Sequence, residues 1–86
     1  MIDIVKYKIF KKYDGDIDNL LKFGSKSDKA KINDEEWSNI DRVLEIFQLL
    51  KSNEYSNSIE DNLKTELKQL KTNFSEKVFE TLELNK

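Results

Sequence analysis

The chain has 86 residues, 37% of them charged, a formal net charge of −2, and no cysteine, histidine or proline. That length allows one domain with one core and leaves little room for a deep cleft. The missing cysteine excludes disulfides and thiolate chemistry, the missing histidine removes the commonest general base and transition-metal ligand, and near charge balance argues against binding nucleic acid through phosphate neutralisation.

The first segment, Ile2 to Tyr13, places Ile2, Val5, Ile9, Phe10 and Tyr13 at helical spacing, while Val5, Tyr7 and Ile9 alternate as in a strand. No second strand-like segment is available to pair with it, so a helix is expected. Its lysines interrupt the apolar run, so neither a signal peptide nor a membrane span is expected there, and a cytoplasmic chain is the expectation. Lys6, Lys8, Lys11 and Lys12 read as a solvated face.

"YDGDIDNLLKFG" follows, with Asp14, Asp16 and Asp18 at alternate positions between the two glycines of the chain. A calcium loop begun at Asp14 would need Gly at its sixth position and Glu at its twelfth; Asn19 and Ser25 stand there instead. The segment therefore reads as a turn in which Asp16 or Asp18 caps a short helix ending before Gly24. "GSKSDKAKIN" carries little apolar content and reads as a loop.

Asn33 and Glu36 form a capping pair at the start of the clearest helix, with Asp34 and Glu35 placed where the helix dipole favours negative charge. Trp37, Ile40, Leu44, Phe47 and Leu50 repeat at three and four residues, widened by Val43 and Ile46, for roughly five turns. "SNEYSNS" ends it. Beyond lies a second stripe, Ile59, Leu63, Leu67, Leu70 and Phe74, then Val78, Phe79 and Leu82. Ser58 is the expected N-cap; the period runs through without Pro or Gly and so allows one long helix, but two helices joined tightly near Asn73, the second capped by Asn73 or Ser75, are the favoured reading. The fold class is all-α, a small single-domain bundle of four or five helices over residues 1–86.

Charge is unevenly spread. Residues 34–61 hold eight acids against Arg42 and Lys51, whereas the segments on either side are net basic. Asp34, Ser38, Asp41 and Glu45 fall in a row on the face turned away from Trp37, Ile40 and Leu44. Asp41 and Glu45 are like charges at i,i+4, a mildly unfavourable pair that Arg42 partly relieves at i,i+3. Such a row is either an ordinary solvated face or a surface that steers a cationic partner. Trp37 on the apolar side is expected in the core, with its indole N–H finding an acceptor at the edge, or else beside the acids as an interface anchor. No nucleophile motif, oxyanion-hole signature or phosphate-binding glycine loop is present, so no catalytic residue, metal or cofactor is assigned and a binding role is expected.

From Lys11 to Phe47 the chain resembles small bacterial immunity proteins encoded beside polymorphic toxins of the contact-dependent growth-inhibition type. The likeness rests on Tyr13 with "DGDID", the glycine-serine loop, and "NDEEW" followed by "IDRVLEIF". It implies a cytoplasmic protein that binds a cognate toxin domain, in many cases a nuclease acting on tRNA, and blocks its active site or an essential surface. A basic nuclease site suits an acidic cover. Partner contact is then assigned to Tyr13, Asp14, Asp16, Asp18, Asp34, Glu35, Trp37, Asp41 and Glu45, on a monomer or weak dimer that contacts neither nucleic acid nor membrane. The other reading is a small structural or regulatory adaptor that self-associates through the stripe spanning residues 59–82.

Overall fold

A computed structural model describes residues 1–52 and 56–84 and shows a small all-α domain. The described residues form six helices, α1 (Ile4–Lys12), α2 (Ile17–Phe23), α3 (Lys26–Lys31), α4 (Asp34–Ser52), α5 (Asn57–Lys71) and α6 (Glu76–Leu84). The class is the expected one, with one helix more than five. Part of the expected breaker after α4, residues 53–55, lies outside the described residues.

Asp3 opens α1 by accepting a hydrogen bond from the Lys6 amide at 3.1 Å. Tyr7, Ile9 and Phe10 then turn inward while Val5 stays exposed. Ile2, expected inside this helix, instead runs extended beside Phe74. Its amide donates to the Asn73 carbonyl at 2.7 Å, its carbonyl accepts from the Ser75 amide at 2.9 Å, and its side chain is buried. The residue that precedes α1 thereby satisfies backbone groups of the α5–α6 turn, groups that turn cannot satisfy itself.

α1 ends where Asp14 and Gly15 both take positive φ, 57° and 70°. The Gly15 amide donates to the Phe10 carbonyl at 2.9 Å and the Asp14 amide to the Lys11 carbonyl at 3.0 Å. These are the paired bonds of a Schellman motif with aspartate, not glycine, at its left-handed position. Asp16 then caps α2 through the Asp18 amide at 2.9 Å.

The segment expected as a loop contains α3. Ser25 accepts from the Asp28 amide at 3.1 Å, and Asp28 in turn accepts from the Tyr13 hydroxyl at 2.6 Å and the Lys12 ammonium at 3.0 Å. α3 buries no side chain of its own, so capping and this tie to α1, not an apolar stripe, account for it.

Asn33 and Glu36 form the expected reciprocal cap of α4: the Glu36 amide donates to Asn33 Oδ1 at 2.8 Å and the Asn33 amide to Glu36 Oε1 at 3.3 Å. The second oxygen of Glu36 pairs with Lys6, fixing α4 against α1. Ser56, not Ser58, caps α5. α5 and α6 are separate helices joined around Asn73, with the Ser75 hydroxyl accepting from the Val78 amide at 3.4 Å.

Trp37, Ile40, Val43 and Phe47 of α4 lie at the centre of the core with Phe10, Phe74, Val78, Phe79 and Leu82 around them. Phe10 and Trp37 meet at 4.8 Å between ring centroids, and Phe79 meets Phe47 and Phe74 edge-on at 6.0 and 5.9 Å. Among the described residues no polar or charged residue is buried.

Candidate functional site

The helix period that buries Trp37, Ile40 and Val43 leaves the opposite side of α4 to solvent, and Asp34, Ser38, Asp41 and Glu45 all lie exposed there. Glu35 is exposed one position round the first turn. Asp41 has its carboxyl held above the usual aspartate value, first by partial burial and second by the charge of Glu45. Glu45 pairs with Arg42, as the spacing indicated.

Arg42 does more than relieve Glu45. It reaches across to α5, where its guanidinium donates to Glu66 Oε1 at 2.8 Å. The Glu66 carboxylate pushes the Arg42 guanidinium further above its ordinary value, with Glu45 adding to the effect, and is itself held low by the same contact. Arg42 therefore separates the acidic row from the α4–α5 junction, and its charge is shared between two glutamates.

The aspartates of the α1–α2 turn occupy a different setting. Asp14 and Asp18 are exposed, and among the described residues neither enters an ion pair; Asp16 is exposed as well, with one carboxylate oxygen accepting from the Asp18 amide. No described interaction joins this turn to the row on α4. Among the described residues no group of three or more acidic side chains is arranged to hold a metal ion. No helix of the described residues is long and apolar enough to cross a membrane.

Neither aromatic residue offered as a partner contact lies at the surface: Trp37 takes the core position expected of it first, and the assignment of Tyr13 to the contact surface is corrected. Trp37 is 2% exposed and packed against the tilted ring of Phe10, and its Nε1 finds no acceptor among the described residues. Tyr13 is buried, with its hydroxyl spent on Asp28. In both, the large ring is more stable filling a core this small than displayed beside charge. The stripe from Leu63 to Leu82 is likewise taken up largely by the domain's own core.

Apolar surface is found instead on α2. Phe23 is 77% exposed and Leu21 is also exposed, while Leu20, just before Leu21, is buried. Successive residues are 100° apart on a helix, so a seven-residue helix with Leu20, Leu21 and Phe23 cannot turn all of them to one core. That arithmetic was available from the sequence. Leu21 lies one turn beyond Asp18, so an apolar side chain and a free carboxylate share one side of α2.

The chain matches no protein-family model, no curated protein and no solved structure.

Proposed function

We propose that this protein is an immunity-type binding module that captures and neutralises a cognate toxin domain through its acidic surface. The observation that carries the reading is that Asp14, Asp18, Asp34, Glu35 and Asp41 are exposed and, among the described residues, take part in no ion pair. The resemblance from Lys11 to Phe47 supports it, since both acidic groups fall inside that stretch.

Unpaired carboxylates on a rigid helix raise the local concentration of a cationic partner and speed its capture. A nuclease domain, whose site must attract phosphate, presents such a surface. With Trp37 and Tyr13 in the core, apolar anchoring falls to Leu21, which shares one side of α2 with Asp18. The chain performs no chemistry in this role; it covers a site.

The test is co-expression with the C-terminal domain of the polypeptide encoded immediately upstream. Growth is rescued by the wild type, and the purified pair associates at least about tenfold more slowly at low salt after Asp41→Lys and Glu45→Lys. Failure to rescue growth, or an association rate unchanged by reversing these charges, overturns the proposal.

A further inference from the structure

α5 and α6 meet around a surface groove of about 300 Å³ that is separate from the acidic row on α4. Leu67 and Phe79 form its apolar floor. One lip is basic: Lys64, Lys68 and Lys71 follow at four and three residues along α5. On α6 the lip is acidic, with Glu76, Glu80 and Glu83 at four and three residues, all exposed. Glu83 lines the groove opposite Lys64, while Glu76 and Glu80 line the adjoining depression with Lys71. Lys64 is paired with Glu60 at 3.0 Å, and Lys71 lies 5.5 Å over the Phe79 ring. Neither Lys68 nor Lys71 forms an ion pair with the facing glutamates among the described residues.

We infer that this groove is a self-complementary docking surface whose occupant is a second copy of the chain. A two-fold axis along the groove carries each copy's α5 over its partner's α6. That operation sets the basic lip of each copy against the acidic lip of the other on both sides of the axis, as an isologous interface requires. The alternative two-fold, across the groove, would oppose lysine to lysine and is disfavoured by charge. A partner of single charge sign would be repelled by one lip, so a segment bearing both signs in matching rows is the occupant the surface selects, and the chain itself supplies one. The inference is independent of toxin binding and uses neither Asp41 nor Glu45.

The experiment is sedimentation velocity on the full chain between about 10 µM and 1 mM at low salt, the range in which a small charged interface associates. The wild type is expected to dimerise, and less so as salt is raised to about 0.5 M. K68E/K71E and E80K/E83K each weaken self-association by about tenfold or more, because like charges then face one another. An equimolar mixture of the two variants associates again, since a predominantly acidic face, which keeps Lys64, now meets a predominantly basic one, which keeps Glu76. A wild type that stays monomeric throughout, a dimer indifferent to salt, or a variant mixture that remains monomeric overturns the inference. The salt series needs no substitution, so it decides even if one variant folds poorly.

Discussion

Replacing Ile2 with alanine tests how the chain closes on itself. The side chain is 1% exposed and sits in the main core with Phe74 and Phe79, outside any helix. Truncating a buried isoleucine removes its transfer free energy and leaves a cavity, together about 2–5 kcal/mol. The two backbone hydrogen bonds to Asn73 and Ser75 remain available to alanine, so the upper part of that range is not reached and a loss of about 3 kcal/mol is expected. Against a total stability of about 5–15 kcal/mol for a domain, that is a large fraction. Urea denaturation followed by far-ultraviolet circular dichroism reads it directly, with Ile2→Val as the graded control at about 1 kcal/mol. A loss below about 1 kcal/mol for the alanine variant would refute the argument that this residue locks the α5–α6 turn to the core.

Other substitutions probe single features. At Gly24 an added Cβ would lie 2.3 Å from the Leu20 carbonyl oxygen, so Gly24→Ala forces the α2–α3 corner to shift; a thermal melt lowered by several degrees is expected, about 1–3 kcal/mol. Trp37→Phe discards an indole N–H that has no acceptor among the described residues and should cost no more than about 2 kcal/mol in urea, compared with about 3–5 for Trp37→Ala. Asp28 is held below its ordinary value first by the Tyr13 hydroxyl and next by Lys12, and Glu66 is held low by Arg42. Since both folded-state values lie below the unfolded ones, their contribution is fully present above the unfolded value and is lost as pH falls through the lowered folded value. Acid unfolding of Tyr13→Phe should therefore begin at higher pH than in the wild type, and an unchanged midpoint would remove the role given to that hydroxyl.

The elements legible in the sequence are those whose helical period and caps agree. α4 carries both an apolar stripe and the Asn33–Glu36 pair, and it forms where expected. α3 escaped because apolar period was the criterion, whereas its signal is Ser25 followed three residues later by Asp28, a capping spacing with no stripe behind it. Ile2 escaped for a different reason: its spacing from Val5 fits a helix, but its partner Phe74 is far along the chain and no local pattern reports it. The acidic row on α4 was readable because one buried face dictates the opposite one. Placing Tyr13 at the surface failed because its hydroxyl had a partner fifteen residues away in a helix the pattern did not reveal.

The buried indole of Trp37 has a practical corollary. It is the sole tryptophan in the chain, wedged against Phe10 where α1 meets α4. Shielded from water and with no hydrogen-bond acceptor among the described residues, it should emit at short wavelength and shift to the red when those two helices part. Separation of α1 from α4 can then be followed optically on unlabelled material, apart from the loss of helix seen by circular dichroism, so a transition in which the two signals diverge would expose an intermediate with its helices formed and its aromatic centre open.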